Sequence, residues 1–276
     1  MSLIESAIQR ARDAAGRGST RSGTDPGQQQ RRVSKSTAGE VGRGPIRQYQ
    51  PIRPDESTME RNCVLPQIVD QAALRAYKIL RTRVLQRMNS KQWYGLAISG
   101  VDSGQGKTVT AINLAIALAQ DPNTAVFLVD LDLQRPKIAE YMGLHFKSGL
   151  GEYLMGEASI DDIFYSPGIE RLAVIPNSRS FEQSSDVLSG PRMLELVQRL
   201  NAEQPRRIVI YDMPPLLLSD DVLTFVPNNA DGLLMVFSEG ATTRGSVEKS
   251  KELLAELNLV GVVLNRSMER NDSAYY

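Results

Sequence analysis

The sequence predicts a three-layer α/β fold with a mainly parallel sheet, preceded by a disordered N-terminal segment. Three observations predict it. Short, continuously apolar runs alternate with helical stretches, the pattern of strands covered on both faces. A glycine-rich loop, Ser103-Gly104-Gln105-Gly106-Lys107-Thr108, sits between one such run and a helical stretch. The composition also changes from polar to globular near residue 65.

The strands come first. Tyr94-Gly95-Leu96-Ala97-Ile98-Ser99 leads into the loop, and Ala125-Val126-Phe127-Leu128-Val129-Asp130 ends in an acid. Leu172-Ala173-Val174-Ile175 is a third run, and Arg207-Ile208-Val209-Ile210-Tyr211-Asp212 again ends in an acid. Gly232-Leu233-Leu234-Met235-Val236-Phe237 and Val260-Gly261-Val262-Val263-Leu264-Asn265 complete the set. Helical spacing of apolar residues predicts helices over 71–88, 108–120, 191–201 and 244–257. Ligands of such sheets bind at the carboxyl ends of the strands, where the loop, Asp130, Asp132, Asp212 and Asn265 all fall.

The flanks read differently. Residues 1–13 carry Ser2 and Glu5 at capping-box spacing and Leu3, Ile4, Ala7, Ile8 and Ala11 at helical spacing, which predicts a short amphipathic helix. Residues 14–66 are rich in Gly, Ser, Gln, Arg and Pro and are expected to form a disordered linker. The globular domain spans 67–268, and 269–276 form a flexible tail ending in Tyr275 and Tyr276.

Composition narrows the function. With 32 basic and 32 acidic residues there is no global basic field, so no nucleic-acid partner is expected. One cysteine, Cys63, excludes an internal disulfide. No run reaches the ~18 apolar residues of a membrane span, and the N-terminus lacks a secretory apolar core, so a cytoplasmic chain is expected. His145, the sole histidine, and Cys63 assemble no metal cluster or triad.

The loop carries the chemistry. Gly104 and Gly106 allow a turn that points successive N–H groups inward, and the following helix start attracts phosphate. Lys107 reaches terminal phosphates and the Thr108 hydroxyl serves Mg²⁺, so Ser103 to Val109 are expected to hold ATP within a P-loop NTPase-type fold. Val101 stands where the general pattern has a leading Gly. Asp212, after four apolar residues, is expected to hold Mg²⁺ through water. In Asp130-Leu131-Asp132-Leu133-Gln134-Arg135-Pro136, one carboxylate is placed to orient an attacking hydroxyl, the other to help hold the metal, and Arg135 to meet phosphate or an acid. Asn265 has the donor and acceptor to read an adenine edge or to close a turn.

These motifs resemble those of the bacterial tyrosine kinases of capsule and exopolysaccharide biosynthesis, especially the stand-alone cytoplasmic autokinases. The likeness rests on Ser103-Gly104-Gln105-Gly106-Lys107-Thr108, on Val129 to Pro136 with its Arg one position later than usual, and on Asp212-Met213-Pro214-Pro215. It covers residues 70 to 267. It implies ATP-dependent phosphorylation of tail tyrosines: Lys107, Thr108, Asp132 and Asp212 position MgATP, Asp130 activates the tyrosine, and Tyr275 and Tyr276 accept. It further implies a membrane-embedded polysaccharide co-polymerase as activator, a peripheral position at the inner membrane through that partner, and self-assembly through the 71–88 helix. The family's assembly helix reads Glu-x-x-Arg-x-x-Arg; here Arg75-Ala76-Tyr77-Lys78-Ile79-Leu80-Arg81 lacks the Glu. The alternative is a partitioning or site-selection ATPase switch, or a nucleotide-sensing scaffold. Such ATPases usually have a Lys five residues before the main one, where Asp102 stands.

Overall fold

A computed structural model describes residues 49–68, 70–202 and 207–267. The strands are β1 (Gln50–Pro51), β2 (Gly95–Gly100), β3 (Ala125–Asp130), β4 (Tyr165–Ser166), β5 (Leu172–Ile175), β6 (Arg207–Asp212), β7 (Gly232–Ser238) and β8 (Leu259–Asn265). They form one sheet in the order β1-β4-β5-β3-β6-β2-β7-β8. Every pairing is parallel except β4 with β5. The helices are α1 (Glu56–Arg61), α2 (Gln71–Lys91), α3 (Lys107–Ala119), α4 (Ile138–Met142), α5 (Leu150–Leu154), α6 (Ser184–Leu188), α7 (Pro191–Ala202), α8 (Asp221–Asn229) and α9 (Arg244–Leu254).

The continuously apolar strands serve two cores because successive side chains point to opposite faces. Leu96, Ile98, Val126, Leu128, Ile208 and Ile210 join α2 and α3 on one face. Ala97, Phe127, Val129, Val209 and Tyr211 join α5, α7 and α8 on the other. This is the expected three-layer arrangement, and all six apolar runs are strands. The helix over 244–257 is shorter than expected, ending at Leu254.

The expected linker over 14–66 is overturned at its C-terminal end, where residues 49–66 are folded. β1 adds to β4, and Asp55 caps α1 by accepting from the Thr58 N–H at 2.8 Å. Ile52, Met59, Val64 and Leu65 are buried. A buried amide on α3 clamps the strap: Asn113 Oδ1 accepts from Leu65 N at 2.7 Å, and its Nδ2 donates to Cys63 O at 2.9 Å. Averaged composition hid these few well-spaced anchors, whose burial offsets the chain entropy locally. The helix expected over 1–13, the remainder of the linker and the 269–276 tail lie outside the described residues.

Candidate nucleotide and phosphoryl-transfer site

The loop between β2 and α3 is built by its glycines and held by its own glutamine. Gly104 and Gly106 take φ of +75° and +87°, a region that side chains disfavour. Gly106 must also stay bare, since a Cβ there would lie 2.1 Å from Asn265 Nδ2. Gln105 folds back so that its Oε1 accepts from Val101 N (2.8 Å) and Asp102 N (3.2 Å), while Nε2 donates to Thr242 Oγ1 at 2.8 Å. The loop is thus braced to the β7–α9 connection by its own side chain. Lys107 and Thr108 open α3 and are both buried.

Two carboxylates, Asp132 and Asp212, feel the Lys107 ammonium at this helix start, and a third, Asp130, lies beside Asp212. Asp130 and Asp212 end adjacent strands directly opposite one another, and Asp212 also pairs in register with Ile98 of β2. Asp130 Oδ2 accepts from Lys137 N (3.1 Å) and Ile138 N (2.9 Å), whereas its Oδ1 has no hydrogen-bond partner. Neither oxygen of Asp212 has one of normal geometry. Asp132 Oδ1 accepts from Arg135 N at 3.0 Å.

Burial sets their electrostatics. It raises Asp130 well above the ordinary carboxylate range, and the Asp212 charge adds to this against two backbone donors. Asp212 is pushed up to about 7 by burial, with the Lys107 ammonium and then the nearby Thr108 hydroxyl pulling it down. Asp132 is raised by burial, opposed chiefly by Lys107. Burial keeps these carboxyls protonated in the absence of a partner, so charging them together calls for a cation beyond Lys107, as do the orphaned buried oxygens. Magnesium fits this donor set of one hydroxyl and carboxylates. Among the described residues, no three His, Cys, Asp or Glu side chains converge as a metal cage.

The expected residues therefore gather at one edge, with two qualifications. Arg135 is exposed on the rim. Asn265, opposite Ser238 at the end of β8, has its amide engaged by protein: Nδ2 donates to Gln105 O at 3.0 Å, and Oδ1 accepts from Arg266 N at 2.9 Å. Tyr275 and Tyr276 lie outside the described residues.

Sequence reasoning missed a polar scaffold behind the Asp130–Pro136 segment. Gln134 Nε2 donates to Ser184 Oγ (3.0 Å) and Ser219 Oγ (3.2 Å), and Ser184 Oγ donates to the buried Asp221 at 2.8 Å. Phe181 N donates to Leu133 O at 2.9 Å. The loops after β3, β5 and β6 are thereby tied together. No signal in local spacing announces bonds between such distant positions.

Residues 96–275 match the family described as CobQ/CobB/MinD/ParA nucleotide binding domain. The tyrosine-protein kinase YwqD of Bacillus subtilis is 28% identical over 221 residues, covering 79% of this chain and 92% of that protein. The kinase domain of the Escherichia coli tyrosine kinase ETK superposes with a TM-score of 0.63 at 27% identity, covering 72% of this chain and 78% of that one. The septum site-determining protein MinD of Pyrococcus horikoshii, solved with Mg-ADP, shares the fold at 21% identity and a TM-score of 0.53, covering 64% of this chain and 72% of that one. The chain belongs to the CobQ/CobB/MinD/ParA nucleotide-binding family, and within it resembles the bacterial tyrosine kinases.

Proposed function

We propose that this protein is an ATP-dependent tyrosine autokinase whose acceptors are Tyr275 and Tyr276. The observation that carries the reading is the set of buried carboxylates in which Asp132 and Asp212 feel the Lys107 ammonium and Asp130 lies beside Asp212, with oxygens of Asp130 and Asp212 left without partners. A phosphate-binding loop alone would need no such set of buried carboxyls.

The backbone N–H groups of the loop and Lys107 hold the phosphates of ATP. Thr108, Asp132 and Asp212 would hold magnesium, which when bound would neutralise charge between the phosphates and these acids. Asp130 takes the proton of the tyrosine hydroxyl as the phenolic oxygen bonds to the γ-phosphorus and the bond from that phosphorus to the oxygen retained by ADP breaks. Its raised pKa favours proton acceptance. Lys107 steadies the charge on the transferred group. Gln105 and Asn265 keep the loop in shape, with Asn265 bordering the base and Arg135 reaching phosphate from the rim. The tail of one copy is served by the site of another, and a membrane-embedded polysaccharide co-polymerase acts as activator, as the family resemblance implies.

Incubation with MgATP followed by mass spectrometry tests the reading. Phosphate is expected on Tyr275 or Tyr276, lost in Lys107→Met and in Asp130→Asn. Release of free phosphate with both tyrosines unmodified would instead identify an ATPase switch.

A further inference from the structure

The sharpest charge asymmetry among the described residues lies on α2, remote in role from the phosphate loop. Its 21 residues carry Arg75, Lys78, Arg81, Arg83, Arg87 and Lys91 and not one Asp or Glu. The whole chain, by contrast, has equal numbers of basic and acidic residues. Arg81 turns inward and donates to Ala117 O at 3.5 Å and Gln120 Oε1 at 3.3 Å. The other five cations are exposed, and none forms an ion pair among the described residues.

The helix has no freedom to turn these charges elsewhere. Val84 and Met88 are buried, and Leu74, Tyr77, Leu80 and Leu85 pack on the core beside α3. On the outer face, Arg75, Ile79 and Arg83 follow at i, i+4 and i+8, one above another, with Lys78 beside them, and Arg87 and Lys91 continue the row toward the C-terminal end. Arg83 with Arg87, and Arg87 with Lys91, are like-charge pairs at i, i+4, which weaken a helix that no external anion compensates. Ile79, in the middle of this fan, is 47% exposed.

We propose that the outer face of α2 docks on an anionic lipid surface, its cations meeting phosphate headgroups and Ile79 entering the interface. Charge complementarity calls for an anion, and the fan of long, flexible side chains lacks the fixed register that carboxylates on a folded partner would demand. The central isoleucine favours lipid over nucleic acid, because a phosphate backbone gives an apolar side chain nothing to enter. Long cationic side chains around an apolar one are suited to lying in the membrane interface. No described helix is long and apolar enough to cross a membrane, so the contact is one of surface.

Co-sedimentation of the full chain with vesicles tests this. Binding is expected to phosphatidylcholine vesicles doped with phosphatidylglycerol, not to phosphatidylcholine alone, and to fall as salt rises. The combined variant Arg75→Glu, Lys78→Glu and Arg83→Glu should lose at least about tenfold in vesicle affinity. Ile79→Ser should weaken binding with the charge unchanged. Should the reversal variant melt early, Arg75→Gln with Lys78→Gln gives a milder version with the same expected direction. Equal binding to neutral vesicles, or reversal without effect on binding, would overturn the proposal. So would an α2-dependent preference for a DNA duplex over the vesicles. A change in oligomer mass on reversal, with vesicle binding intact, would give the face to a second copy instead. None of these readouts uses kinase activity, so the lipid contact and the phosphoryl-transfer reading stand or fall separately.

Discussion

Replacing Asp212 by Asn separates folding from ligand binding. The folded carboxyl titrates at about 7 against an ordinary value of 3.8, so between those values the native state holds a proton that the unfolded chain has lost. Stability of the metal-free protein therefore falls as pH rises from about 4 to about 7, and Asp130 adds in the same direction. Asp212→Asn is expected to flatten this slope and to stabilise the metal-free protein at pH 8 by roughly 1–3 kcal/mol, while losing its response to MgATP. Thermal melts at pH 5 and pH 8, with and without MgATP, check both halves; a wild type with no pH slope would contradict the burial argument. Single residues of this kind were legible in the sequence, since an acid that closes an apolar run must sit at the buried end of a strand. The role of Gln105 was legible only in part. Its place in the loop is a matter of spacing, but its bond to Thr242 joins positions 137 apart in the chain. Asp221 was not legible at all, because its buried carboxylate is bonded by Ser184, contributed by the start of α6.

At the scale of elements, periodicity identified those long enough to repeat. α2, α3 and the six long strands each show a full pattern. β1 and β4 are two residues each, too short for any period to register, and α1 spans six. They exist because tertiary contacts hold them, which is also why composition alone reads the 49–66 strap as linker. Its attachment to the phosphate-loop helix is testable. Asn113→Ala strands a buried N–H on Leu65 and removes the donor to Cys63 O, and is expected to cost about 1–3 kcal/mol in urea denaturation. A neutral outcome would mean that Val64 and Leu65 hold the strap by packing alone. Because α3 begins with Lys107 and Thr108, loosening the strap should also weaken nucleotide affinity modestly, readable in the same variant by calorimetry.

For the molecule as a whole, the parallel sheet with helices on both faces follows from runs of uniform apolarity, but the strand order does not. The order β3-β6-β2-β7 is fixed by how each crossover packs, and it is this order that sets Asp130 beside Asp212 and both near the loop after β2. The site is thus a product of topology acting on residues that the sequence had already marked. A site assembled from several strand ends should transmit ligand binding to the entire fold. MgATP at about 100 times its dissociation constant is expected to stabilise the protein by about 2.7 kcal/mol, and chelation of magnesium to remove most of that gain. An ATP-induced melting shift that survives chelation would argue against the metal.

Asn265 ends β8 with its amide anchored to the phosphate loop, and that anchor makes a mooring point for the tail. Tyr275 stands ten residues beyond it and Tyr276 eleven. A chain of that length, pulled straight, reaches at most about 35–40 Å. Under the proposed autokinase reading, the site that would phosphorylate these hydroxyls must come within about that radius of Asn265, plus the length of a tyrosine side chain.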